Sequence, residues 1–269
     1  MRAGRARALL SASLVACTLV ACLGSTGSDL VTFSADASGV TDVRAGVPFV
    51  TGRGWSVTLD HAVVHLAAVF LRRNAPVSGA QARTCYASGG YLGEVLQGRD
   101  IDLLSGAPQA FEGGGRGTRD LARSCEVWLG GARIDDENDN TAVFAASGMA
   151  ARGTDVIPFT ARLTIGKSRI AASNDPTRPG ATPLCSLRIV APIGCAVLPE
   201  QGGTLHVRID ARSVFGNVEF SDLPAPSGEP NGPRAFLDSN DGQPNINLFS
   251  GIRASGGTYA LDWQTAAGP

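Results

Sequence analysis

The chain has 269 residues, with 23 Lys and Arg against 24 Asp and Glu, and a formal net charge of −1. All its basic residues but Lys167 are arginines, and no polybasic face emerges from them, so nucleic acid is excluded as a partner. With 34 Gly, 15 Pro and few uninterrupted helical patterns, the composition points to many short strands joined by turns.

The first segment is built for export. Arg2, Arg5 and Arg7 precede an apolar run from Ala8 to Val20, too short to span a bilayer comfortably. The run ends in Leu19-Val20-Ala21-Cys22. With that ending the chain resembles a bacterial lipoprotein, and LVAC matches the lipobox. The resemblance implies a diacylglyceryl thioether on Cys22, cleavage after Ala21 and further acylation, such as palmitate, on the freed amine. Several acyl chains would hold far more firmly than one. It also implies a cell-envelope location. Because Leu23, not Asp, follows the cysteine, that is the outer membrane in a Gram-negative host, and otherwise the outer face of the plasma membrane. Removing residues 1–21 takes three of the 23 basic residues and leaves 20 against 24 acidic ones, a mature charge of about −4.

Residues 22–29 are small and polar after the cysteine and read as a flexible tether. A single domain over residues 30–269 follows. Leu30–Ala37 alternates as a first strand, with Val31, Phe33 and Ala35 on one side. Trp55–Leu71 is the strongest apolar segment. Its Val and Thr content favours a strand, although Leu59, Ala62, Val63, Leu66 and Phe70 also fit a helical period. Further strands are expected at Tyr91–Leu96, Arg99–Leu104, Ala107–Phe111, Ser124–Leu129, Ala142–Ala146, Val156–Ile165, Leu184–Val190, Leu205–Ile209, Ile246–Ile252 and Thr258–Trp263. Ser221–Pro244 reads as a long surface loop. About ten strands without a convincing amphipathic helix predict an all-β chain, a β-sandwich with the last strand paired to an early one. The segments GWSVTLDHAVVHL, SCEVWL, VFGNVEFSDL and YALDW give the body a resemblance to uncharacterised secreted lipoproteins of GC-rich bacteria, which carries no activity with it.

Of six cysteines, Cys17 leaves with the signal and Cys22 takes lipid. Cys85, Cys125, Cys185 and Cys195 remain, an even number suited to two disulfides in an oxidising compartment. Three pairings are possible. The short loop favours Cys185–Cys195, which leaves Cys85–Cys125. The rival, a four-thiolate metal site, lacks a CxxC pair.

The candidate chemistry is sparse. His61 and His65 would share a metal on a helix, but on a strand four residues span about 13 Å and they cannot. A Zn or Cu site would then need His206 or carboxylates. Asp135, Asp136, Glu137, Asp139 and Asn140 form an oxygen-rich loop suited to Ca²⁺, with Asp136, Asn138 and Asn140 at alternate spacing, yet the EF-hand Gly and closing Glu are missing. A solvated acidic turn explains it as well, as Asp-Gly turn chemistry explains Asp238, Asn240 and Asp241. Glu112–Gly117 (EGGGRG) has no GK[ST] ending and reads as a mobile turn. Neither GxSxG nor SxxK occurs, and Glu94, Asp100 and Asp102 are carboxylates that a glycosidase would need to hold at a set separation. The first expectation is therefore a non-enzymatic envelope module, bound to the membrane by its anchor and recognising a protein or small molecule. Metal binding (Zn or Cu at the histidines, structural Ca at the acidic loop) comes second and a hydrolase third.

Overall fold

A computed structural model describes residues 30–75, 90–170, 182–190, 193–199 and 202–265. Cys17, Cys22 and Cys85, the signal segment and the tether lie outside the described residues. The protein is mostly β, with strands β1 (Val31–Gly39), β2 (Phe49–Val50), β3 (Ser56–Arg72), β4 (Tyr91–Val95), β5 (Arg99–Asp102), β6 (Gln109–Ala110) and β7 (Gly115–Gly117) in its first half. The second half adds β8 (Ala122–Leu129), β9 (Phe144–Arg152), β10 (Asp155–Leu163), β11 (Ile193–Val197), β12 (Gly203–Ile209), β13 (Arg234–Phe236) and β14 (Tyr259–Thr265). Three helices interrupt them: α1 (Leu184–Arg188), α2 (Ala211–Val214) and α3 (Gln243–Arg253).

The hub is β3, all of Trp55–Leu71 but its first residue. Val57, Leu59, Ala62, Val64 and Leu66 are fully buried or nearly so, while Asp60 and His61 are exposed. One edge of β3 pairs in turn with β2, β5 and β4. The other pairs first with β9, from Ser56 to Val64, and then with β8, from Leu66 to Arg72. The register slips between Leu59 and His61 and again between Leu66 and Ala68. Such bulges bend a strand and let it pass from one layer to the next. All fourteen strands are thereby hydrogen-bonded into one sheet that folds into a sandwich around the core.

At one end of that core Phe159 touches Phe215, Phe220 and Phe236, and Phe220 meets Trp55 edge-on. The Trp55 indole donates to Glu219 at 2.9 Å, and Arg152 grips the same carboxylate while lying over the Trp55 ring. Burial would raise the Glu219 carboxyl, but the bonds from Arg152, Ser221 and Trp55 hold it down at about 2.

Several expectations are corrected. Leu184–Val190 is not a strand: Leu184–Arg188 is a helical turn opening after Pro183, with Leu184 and Arg188 both buried one turn apart. Ile246–Ile252 lies inside α3, whose Pro244 sits in the first turn and whose Leu248, Phe249 and Ile252 are buried at helical spacing. The supposed loop Ser221–Pro244 contains β13, which pairs in parallel with β10 and buries Phe236. The last strand joins β12, not an early strand, and β12 in turn runs parallel to β1.

The cysteine pairing is corrected as well. Cys125 bonds to Cys195, because antiparallel β8 and β11 set Cys125 opposite Ile193 and bring the two cysteines to a Cα separation of 6.1 Å. This excludes Cys185–Cys195, Cys85–Cys125 and the four-thiolate site. Cys185 is itself disulfide-bonded. Among the described residues no helix is long and apolar enough to cross a membrane.

The Cys125–Cys195 bond closes a sequence separation of 70 residues. Replacing both by alanine is expected to lower unfolding stability by about 4 kcal/mol in a urea titration, with the β circular-dichroism spectrum kept. An unchanged midpoint would contradict a stabilising role.

Candidate functional site

The three histidines point away from the core and do not meet. His61 is exposed opposite Ser147 of β9. His65 lies opposite Asp100 of β5, and its Nδ1 is 2.7 Å from Asp100 Oδ1. On one strand, with a bulge nearby, His61 and His65 remain about 13 Å apart. His206 is on β12, opposite Asp36 of the parallel β1. Among the described residues no three of His, Cys, Asp and Glu come together as a metal-holding group. Glu94 is opposite Phe70 and bonded to Arg116, five residues along β3 from the His65–Asp100 pair, about 16 Å away.

The acidic loop is occupied by an arginine. The Arg188 side chain is fully buried and donates to the carbonyls of Ile165 at 2.7 Å, Arg133 at 2.6 Å and Asp136 at 2.6 Å. Its Nη1 is 3.5 Å from Asp139. Of the carboxylates that sequence assigns to Ca²⁺, Asp139 is the one that lies beside this guanidinium, whose planar fork of donors otherwise meets main-chain carbonyls, those of Ile165 and Arg133 from outside the acidic run. Asp139 also accepts from the backbone of Gly131 and Thr141, and Asp136 accepts from Asn138. Asp135 stays exposed beside Arg133. Burial works to raise the Asp139 carboxyl, and the bonds from Thr141 and Gly131 with the Arg188 charge bring it below its usual range.

The arrangement with most chemical content was missed in sequence. On β1 the inward residues Phe33, Ala35 and Ala37 are core, so Thr32, Ser34, Asp36 and Ser38 lie on the strand's other face, exposed at Thr32 and Ser34 and covered at Ser38. The His206 ring bridges two of them. Its Nδ1 donates to Asp36, and its Nε2 lies 3.3 Å from Ser38 Oγ. That is the connectivity of an acid–base–nucleophile relay. Ser38, however, is only 3% exposed and its hydroxyl donates to the Gly39 carbonyl at 2.9 Å.

Beside this trio is a hollow of about 380 Å³. Thr32, Ser34 and their neighbours on β1 form its floor, and two glycine pairs, Gly113-Gly114 and Gly202-Gly203, are among its walls. Ser34 lies opposite Thr204 and Asp36 opposite His206, so the relay begins one outward position from the floor. The glycines are required here. Gly114 has φ of 60°, and a Cβ on it would come within 2.4 Å of the Phe33 carbonyl oxygen. Thus EGGGRG is a turn only in part: Glu112-Gly113 turns, with the Gly114 N–H donating to the Phe111 carbonyl at 3.2 Å, and Gly115–Gly117 is strand β7 against β1. The signal available in sequence was the second doublet, Gly202-Gly203, together with the polar alternation of Ser34, Asp36 and Ser38.

Arg188→Met would leave the carbonyls of Ile165, Arg133 and Asp136 without their donor and Asp139 without its counter-charge. A loss of about 3 kcal/mol in urea unfolding is expected. A loss below about 1 kcal/mol would show that the guanidinium is dispensable to the loop.

No protein-family model and no curated protein matches the chain. Among solved structures, MbnP from Methylosinus trichosporium aligns over 87% of this chain and 98% of its own at 11% identity, with a TM-score of 0.40, a likeness too slight to carry an argument.

Proposed function

We propose that the chain is a lipid-anchored envelope protein that works by binding a ligand, without turnover, and that the hollow over Ser34 is the seat. The hollow carries the reading. It has a polar floor in Thr32 and Ser34, an apolar side in Phe111, and walls of bare glycine backbone that let a ligand approach main-chain groups closely. A small polar molecule or a peptide end fits that chemistry. Anchoring is supported by the LVAC ending at Cys22 and by the Cys125–Cys195 bond, which belongs to an oxidising compartment. Binding without turnover is supported by Ser38, whose hydroxyl is buried and already committed to Gly39.

The relay of Ser38, His206 and Asp36 favours a hydrolase as the second reading. There the hydroxyl would have to turn from Gly39 to His206 Nε2 and come within reach of a substrate.

Two experiments test these claims. Labelled palmitate should appear on the wild type and vanish from Cys22→Ser; label that persists on the variant would remove the anchor. For the seat, saturation-transfer NMR with a panel of small polar fragments should find binders to the wild type. Ser34→Trp, which fills the hollow from an exposed floor position, should lose them. Binders retained by Ser34→Trp would move the seat elsewhere, and covalent capture of Ser38 by a fluorophosphonate would put the hydrolase first.

A further inference from the structure

Among the described residues, the end of the domain that receives the tether is both basic and apolar. Register gathers the ends of eight strands there. Val31 lies opposite Gly117, the last residue of β7, and Gly93 of β4 opposite the same glycine. Arg72 ends β3 opposite Tyr91, which opens β4, and Ser124 near the start of β8. Ala122 opens β8 opposite Val197, which ends β11, and Gly203 opens β12 opposite Thr265, which ends β14. Just past these ends, Leu30 is 78% exposed, Leu121 44% and Leu198 36%. Arg73, Arg119 and Arg123 are exposed among them. A concavity of about 630 Å³ is lined by Arg73, Asn74, Ala75, Asp120, Leu121 and Arg123. Asp120 pairs with Arg73, so the described charges at this end still sum to positive.

We infer that this end docks on the bilayer, with Arg73 and Arg123 taking anionic phospholipid headgroups at the concavity and the three leucines entering the interface. The inference rests on the lipid anchor proposed above. Leu30 is eight residue steps on from Cys22, which at full extension reach at most about 29 Å. The seventeen residues of β3 run about 56 Å along their path from the far end to this one, an upper bound on the distance because the strand bends. The tether is shorter than that path, so it holds this end, and not the other, against the membrane. A mature chain that is acidic overall presents its local arginine cluster to the one surface the anchor brings near. Arginines beside an anionic leaflet are attracted within a Debye length, and exposed leucines add apolar contact with the interface.

The test uses the acylated full chain in three settings: vesicles of phosphatidylethanolamine with phosphatidylglycerol, vesicles of phosphatidylcholine alone, and neutral detergent. Phenylglyoxal modification of arginines is followed by mass spectrometry. On the anionic vesicles Arg73 and Arg123 should react more slowly than in detergent by about threefold or more, with high salt reversing the protection. Arg44, in the loop beyond the opposite end of β1, should react equally in both. Leu121→Ser with Arg123→Ser should remove the protection of Arg73 while the protein still floats with the vesicles. Equal rates at Arg73 and Arg123 in vesicles and detergent would overturn the docking, as would the same protection on phosphatidylcholine. Protein that does not float with vesicles would instead overturn the anchor, and the docking with it.

Discussion

The partner exchange along β3 is the constraint on which the remainder depends. A twisted strand of seventeen residues cannot stay within one flat layer. It gives up β9 for β8 on one edge and passes from β2 to β5 to β4 on the other. The bulge after Leu59 keeps Asp60 and His61 outward while Ala62 and Val64 return to the core. This bend places β5 and β6 so that β1 can be reached. Gln109 of β6 exchanges bonds with the Asp102 backbone of β5, and Ala110 lies opposite Asp36. The floor and one wall of the hollow are thus consequences of how β3 turns.

Three arginines tie distant segments of this protein together through their guanidinium groups. Arg188 fills the acidic loop, Arg152 clamps Glu219 under Trp55, and Arg169 reaches Asp238 and the Ser239 carbonyl with its guanidinium over Phe249. Each case joins segments far apart in sequence, and each is a planar fork meeting several oxygens at once. The loops that look like metal or turn chemistry in sequence are the receiving ends of these forks.

That explains what sequence could and could not reveal. Alternation at Val31–Gly39, Ser56–Arg72 and Ala122–Leu129 showed the strands, because a half-buried strand writes its burial directly into every second residue. Gln243–Arg253 misled for the same reason: Ile246, Leu248 and Ile252 keep a period of two, whereas the helix buries Leu248, Phe249 and Ile252 and leaves Ile246 exposed. The Cys125–Cys195 bond, the Arg188 contacts and the hollow depend on pairings over tens of residues or more. Spacing along the chain carries no record of which strand lies beside which. Asp36 and Ser38 were visible only as outward polar residues until β12 supplied His206.

The measurement that tests the account most directly is the intact mass of the protein taken from the cell envelope, before and after thiol alkylation. The account predicts a chain beginning at Cys22 that carries acyl chains and takes up no alkylating agent, since Cys125 and Cys195 are bonded to each other and Cys185 is disulfide-bonded as well. A mass matching the unprocessed chain, or a cleaved chain without lipid, would contradict the anchor. Alkylation at Cys125 and Cys195 would contradict the oxidising compartment and the cross-link that holds β8 to β11.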